Sequence, residues 1–292
     1  MSSPTWEEIT SPDFEETANR IICENPPCRR SVAGVVPVDG VPGTTGRYAP
    51  FRVLFDDGTR GVARIGAVPD PEAAAVDNSG FLGTAIAAPA GQKWEAAAAA
   101  LAAEAGVPAL VPDAVTAAGG VEIMWLPLLK RTALASDPVA WQSALAPMPN
   151  EQPGGFPVFT DRARKLAVLH SMGTGTAARL GDRYDLWLET LFEEATRWSV
   201  VHGSPAERHA LAANGDNGAN GGITVVDFAE SCWAPVAWEA SGLVAAGIAT
   251  RNEATALFGL TKAEMEAAVT LRSAGAAIMS ASVHPSAGLR AA

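Results

Sequence analysis

From Ser31 to Gly66 the chain is cut into apolar runs too short for helices: VAGVVPV, YAPFRVLF and TRGVARIG, separated by the turn-rich stretches GVPGTTG and DDG. Runs of this length, rich in β-branched and aromatic residues and bounded by Gly, Pro and Asp, read as strands. Asp57-Gly58 is the dipeptide of a tight hairpin turn. The expected order is therefore strand, glycine-rich loop, strand, hairpin turn, third strand. Two more strands are expected in PALVPDAVTAAGGVEIMWLPLL, either side of the Gly119-Gly120 turn and ending at Pro127. A chain that begins this way has to cover a small antiparallel sheet, and the remaining segments supply the means.

Residues 1–30 read as a polar leader with one short helix, stopped by Pro26 and Pro27. Val68 to Gln92 is rich in Pro, Gly and Ala and reads as irregular. It leads into WEAAAAALAAEAG, a helix that Gly106 closes. Beyond Pro127, ALAPMPNEQPGGFP reads as a surface loop or substrate-side insertion. In DRARKLAVLHSM the residues Ala163, Leu166 and Leu169 recur at helical spacing, as do Leu188, Leu191, Phe192 and Ala195 in DLWLETLFEEATRW. A last long helix opens on Thr261 and Glu264, the two ends of a capping box, and runs toward Ser282. The expected division is a leader at 1–30, a small β-rich lobe with one helix at 31–129 and a mainly helical lobe at 130–292.

Charge and composition exclude several classes of function. Acidic residues outnumber basic ones 32 to 21, a net charge of −11, and such a surface repels nucleic-acid phosphates and anionic membranes. No basic-then-apolar leader opens the sequence, and the alanine run after Trp94 is interrupted by Glu95, Glu104, Pro108 and Pro112 before it could span a bilayer. A cytoplasmic protein with no nucleic-acid or membrane partner is expected. Cys23, Cys28 and Cys232 lack metal or disulfide spacing and read as reduced thiols.

The order of segments closes on VVHGSPAERHAL and ITVVDFAESCW. From the glycine-rich hairpin to these two motifs, the chain resembles the aminoglycoside phosphotransferase and choline kinase family, in which an HGD-x-H-x-x-N loop precedes a strand ending in Asp-Phe. His202, Gly203, Asp227 and Phe228 match. WAPVAWEASG is similar to the segment that follows in the family, with Glu239 where Asp is more usual. The resemblance implies an α+β, two-lobed, protein kinase-like fold with a small antiparallel sheet lobe and a larger helical one. It also implies ATP and Mg²⁺ as cofactors, with a small-molecule or peptide substrate in the cleft between the lobes. Carried over residue by residue, it places Thr44 and Thr45, among Gly40, Gly43 and Gly46, over the phosphates. Arg64 stands near the position of the family's strand lysine, Glu95 at its helix carboxylate, Leu126 and Leu128 at the adenine pocket, and Asp227 at the metal.

Arg64 has a second reading, an exposed arginine at a strand end, because a planar fork does not replace a compact ammonium. The catalytic loop departs furthest. Ser204 stands for the family's Asp, Ala206 for its second His, and His209 for its metal-binding Asn. A serine hydroxyl has no useful basicity near neutral pH, and losing a general base costs about 10²–10⁴ in rate. Neutral imidazole is a poor ligand for Mg²⁺ and a good one for transition metals. His202, expected to brace the loop, could also join Ser204, Glu207 and His209 in a different catalytic group, whereas zinc held by His202 and His209 lacks a third ligand at convincing spacing. His170 reads as a core residue, and His284 carries no signal. Two readings follow: a pseudokinase-like partner of another protein or a repurposed catalyst, for example in natural-product or modified-peptide tailoring; and an active ATP-dependent phosphotransferase acting on a small-molecule hydroxyl, such as that of an aminoglycoside. A structural interaction module with an empty cleft is the third.

Overall fold

A computed structural model describes residues 14–27, 30–38, 48–67, 91–118, 121–129, 133–134, 136–154, 156, 186–206, 209–212 and 223–283. The glycine-rich loop with Thr44 and Thr45, the helix expected around His170, Glu207 and His284 lie outside these residues.

Helix α1 (Phe14–Glu24) precedes the strands β1 (Val32–Pro37), β2 (Tyr48–Phe55) and β3 (Arg60–Ala67). After helix α2 (Gly91–Glu104) come β4 (Ala114–Ala118) and β5 (Val121–Pro127), completing an antiparallel sheet of five strands in the order β1-β2-β3-β5-β4. Side chains alternate across a strand, so each strand serves two faces. Phe51, Val53, Phe55, Ala63, Ile65, Val121, Ile123 and Trp125 form one buried face, covered by Ala18 and Ile22 of α1. Both α1 residues are 0 % exposed. The segment expected to be a polar leader is thus part of this lobe's core. Its polar composition hid two apolar residues one helical turn apart.

Arg64 lies on the opposite face, opposite Met124 in register. Across that face runs α2, whose alanines do not pack into the sheet's core. Ala98, Ala99 and Ala102 join Trp141, Phe156, Val200, Phe228 and Leu243 in the core of the helical part. The chain leaves α2 through Gly106, at φ +98, as its sequence predicts, and Val225 N–H then donates to the Pro108 carbonyl at 2.8 Å.

The helical part holds β6 (Ala133–Leu134), α3 (Pro138–Leu145), a helical segment α4 (186–194), β7 (Trp198–Val201), β8 (Ala210–Ala212), β9 (Ile223–Val225), a 3₁₀ turn (Phe228–Glu230) and β10 (Cys232–Pro235). Helices α5 (Val236–Ala245), α6 (Arg251–Phe258) and α7 (Lys262–Val283) complete it. Strand β7 pairs with β10, and β6, β8 and β9 form a second small sheet. At the start of α7 the Glu264 N–H donates to Thr261 Oγ1 at 3.1 Å and the Thr261 N–H to Glu264 Oε2 at 2.6 Å, the capping box expected there. Cys23 is exposed, Cys232 is buried, and both are free thiols. Among the described residues no helix is long and apolar enough to cross a membrane.

Candidate functional site

The site grows from two backbone devices. Val226, just after β9, donates its N–H to the His209 carbonyl at 2.9 Å, which sets the residue that precedes β8 beside the residue that follows β9. Asp227 then takes a left-handed conformation, φ 67 and ψ 64. It has the one positive φ outside glycine among the described residues. Aspartate tolerates this region better than most residues, but such outliers concentrate where a side chain must be aimed. The turn brings Asp227 Oδ2 to 3.2 Å from His209 Nε2. The other ring nitrogen of His209, Nδ1, lies 2.7 Å from the Ser204 carbonyl oxygen.

Opposite these groups stands the cation of β3. Arg64 is mid-strand, and its side chain is only 18 % exposed, which overturns the reading of an exposed strand-end arginine. Its fork divides: Nη2 pairs with Glu95 Oε2, and Nε donates to Gln92 Oε1 at 3.3 Å. Both partners are on the first turns of α2, so a single guanidinium fixes the helix against the sheet. Glu95 is buried. Burial pushes its carboxyl up, Arg64 opposes this, and the charge of Asp227 adds to the rise. Arg64, Glu95, Asp227, His209 and Ser204 therefore form one polar row running from the sheet to the loop.

Three residues that the sequence did not single out hold this row in place. Gln92 is 0 % exposed, and besides meeting Arg64 it gives its backbone N–H to Glu122 Oε2 at 3.0 Å and its side-chain Nε2–H to the Glu122 carbonyl at 2.9 Å. A buried carboxylate at a helix N-terminus satisfies an orphan N–H and opposes the helix dipole. The third is Arg272 of α7, stacked on Trp238 at 3.8 Å and donating from Nη2 to the carbonyls of Trp238 at 2.7 Å and Gly203 at 3.3 Å. Glu239 accepts the Gly203 N–H at 3.0 Å, so the Gly203 residue is gripped at both its N–H and its C=O. Gly203 sits at φ +89, and a Cβ there would meet the Glu230 carbonyl oxygen at 2.4 Å. Only glycine fits.

His202 is 0 % exposed. Its Nε2 lies 2.9 Å from the Val226 carbonyl, an acceptor, so the proton is on Nε2. Burial above all pushes its pKa down to about 4, and the ring packs edge-on against Trp141 and Phe228. This is a brace and not a proton shuttle. Leu128 is 41 % exposed at the sheet's exit, while Leu126 pairs with Val62 inside the ladder. Neither touches the polar row through any contact seen among the described residues. A cavity of about 540 Å³ lies behind His202, lined by Gln142, Met148, Asn150, Trp198, Glu239 and Phe258 among others, and away from Arg64 and Asp227.

Solved structures with this architecture are numerous. Macrolide 2'-phosphotransferase type I shares 16 % identity over 99 % of this chain and 95 % of its own, with a TM-score of 0.55. Aminoglycoside phosphotransferase APH(3'')-Id from Streptomyces rimosus, solved with ADP and streptomycin, shares 12 % over 91 % of this chain and 99 % of its own, at 0.55. Choline kinase LicA from Streptococcus pneumoniae shares 8 % over 88 % of each chain, at 0.56. The chain has the kinase-like fold of the aminoglycoside phosphotransferases and choline kinases. No family model and no curated protein matches the sequence itself. At these identities the likeness is one of fold.

The kinase-like fold makes ATP with Mg²⁺ the group to test against the residues present. Mg²⁺ binds oxygen in near-ideal octahedral geometry. At the two positions that the resemblance assigns to the metal stand Asp227 and the His209 imidazole, 3.2 Å apart. The donor set does not fit Mg²⁺.

Proposed function

We propose that this kinase-fold chain binds a nucleotide in the cleft between its lobes and has lost phosphoryl transfer by general-base catalysis, acting as a pseudokinase-like partner of a small molecule, peptide or protein. The cation–carboxylate pair of Arg64 and Glu95 and the aimed Asp227 support the binding half of this reading. The other half rests on one observation. At the position where the fold's phosphotransferases are expected to carry an Asp stands Ser204, and the histidine that contacts its backbone is engaged elsewhere. His209 has Nδ1 on the Ser204 carbonyl at 2.7 Å and Nε2 at the Asp227 carboxylate at 3.2 Å. Both ring nitrogens thus have partners other than the Ser204 hydroxyl, which argues against a relay from Ser204 to His209. Positioning and electrostatics alone support a residual rate.

Two measurements test this. Isothermal titration with a non-hydrolysable ATP analogue should show binding that weakens in Asp227→Ala. Turnover of ATP should then rise by about 10²-fold or more when Ser204 is replaced by Asp together with His209→Asn, the span a general base contributes. Equal turnover in the wild type and this double variant, together with loss of turnover in Ser204→Ala, would identify an active transferase that uses the serine.

A further inference from the structure

The cavity of about 540 Å³ behind His202 is lined by two residues whose polar atoms are only half used, His202 and Glu239. Nε2 of His202 gives its proton to the Val226 carbonyl at 2.9 Å, so Nδ1 is left with a lone pair. Oε2 of Glu239 accepts the Gly203 N–H at 3.0 Å. The second atom of each, His202 Nδ1 and Glu239 Oε1, is buried without a hydrogen-bond partner among the described residues. The two residues are 0 % and 3 % exposed. Buried polar atoms are nearly always paired, so two unpaired acceptors from residues of one cavity call for a donor.

The rest of the lining narrows what that donor is attached to. Leu145 and Met148 are buried in the wall, with Trp198 and Phe258 half-buried beside them. Ala146 and Arg197 also line the cavity and are exposed, so it opens to solvent on their side. Arg197 Nη2 donates to the carbonyl of Phe258, the last residue of α6, where a cation offsets the negative end of the helix. The Ser199 hydroxyl is turned to the Pro149 carbonyl at 2.9 Å. Among the described residues Glu239 is the one carboxylate of the lining. Arg272 donates to the carbonyls of Trp238 and Gly203 and leaves Glu239 Oε1 unmet.

We propose that this cavity is a second ligand site for a small organic amine, its protonated amino group held by Glu239 Oε1 and His202 Nδ1 and its apolar body packed against Leu145, Met148, Trp198 and Phe258. An ammonium offers donors and no acceptor, which matches two acceptors on the protein. Its charge meets a carboxylate that burial has deprived of solvation, and aromatic walls suit a cationic ligand. The volume is that of a small-molecule site. Arg64, Glu95, Ser204, His209 and Asp227 are not in the lining, so the site stands independently of the nucleotide reading.

The probe is 2-phenylethylamine, compared by isothermal titration with its neutral counterpart 2-phenylethanol on the full chain, at about 0.15 M salt to screen long-range attraction to an acidic protein. The amine should bind at least about tenfold tighter than the alcohol, the scale of a hydrogen bond to a charged group. Glu239→Gln keeps an acceptor for the Gly203 N–H, removes the charge and should abolish the preference. Ala146→Trp, at the exposed C-terminal end of α3, narrows the entrance without touching the floor and should weaken both probes with the far-ultraviolet circular dichroism unaltered, which keeps the proposal testable if Glu239→Gln fails to fold. Asp227→Asn should leave both affinities unchanged. No binding of the amine, or equal binding of amine and alcohol, overturns the proposal. So does a preference that survives in Glu239→Gln, or binding that Asp227→Asn removes and Ala146→Trp does not, since either places the amine elsewhere. None of these outcomes bears on nucleotide binding, and the two readings fail separately.

Discussion

Glu239 of α5 and His202, just after β7, are both buried beside Gly203 and pull the protein's pH response in opposite directions. Burial pushes the Glu239 carboxyl up to about 7, against the N–H groups of Gly203 and His202 and the charge of Arg272. Between an unfolded glutamate's ordinary 4.5 and about 7, the folded state keeps a proton that the unfolded chain has released. The contribution of Glu239 is therefore fully present below its unfolded value and is lost as pH rises through about 7. His202 works the other way: with its pKa lowered from 6.5 to about 4, its contribution is present above 6.5 and is lost as pH falls through about 4. In Glu239→Gln, which retains an acceptor for the Gly203 N–H, only the histidine term remains. Urea midpoints of that variant should rise with pH between about 4 and about 6.5, while those of the wild type stay flatter across the same range because the two slopes oppose. Parallel profiles for the two proteins would show that the carboxyl does not titrate there. Sequence order brought Glu239 and His202 to notice, but nothing in the local pattern showed that Arg272, sixty-nine positions from Gly203, completes their grip on the loop.

At the scale of elements, α2 is fixed at its first turn by polar contacts and along its length by alanines. Gln92 is the joint, since three of its polar atoms meet Arg64 and Glu122. Replacing it by Ala leaves the Arg64 Nε–H and the Glu122 carbonyl without their partner in a buried setting, a loss of about 1–3 kcal/mol. Gln92→Ala should accordingly lower the urea midpoint without changing the slope and should also weaken the nucleotide analogue, because Arg64 loses one of the contacts that orient it. A stability change with untouched nucleotide affinity would separate Arg64 from the site. The elements themselves were legible wherever a local rule sufficed. Strand alternation fixed β1 to β5, Gly106 closed α2, and Thr261 with Glu264 opened α7. Helix α3 went unread although Asp137 caps it, accepting the Val139 N–H, and Pro138 starts it, because the Pro- and Gly-rich stretch just beyond dominated the reading. Glu122 in an otherwise apolar strand gives no local sign of burial. Its partner is the end of a helix thirty residues earlier.

For the whole molecule, the boundary between lobes that composition suggested near residue 129 is not where the cores divide. The sheet's core is closed by α1, whereas α2, which precedes two of the sheet's strands, buries Ala98, Ala99 and Ala102 among Trp141, Phe156, Phe228 and Leu243 of the helical part. Its first turn at the same time fastens Arg64 and Glu122 of the sheet. A helix shared in this way links the two cores, so they should unfold in one transition. Ala102 is 1 % exposed, and Ala102→Leu adds three carbons to a packed interior at a cost of about 1–3 kcal/mol. That substitution lies in the helical part's core, yet it should lower together the denaturation midpoints reported by Trp125 of the sheet and Trp141 of the helical core, each studied as the retained tryptophan in a background where the others are Phe. If the Trp125 midpoint stays fixed while the Trp141 midpoint falls, the lobes fold independently, and the row from Arg64 to His209 is assembled by docking of two finished cores and not by a common one.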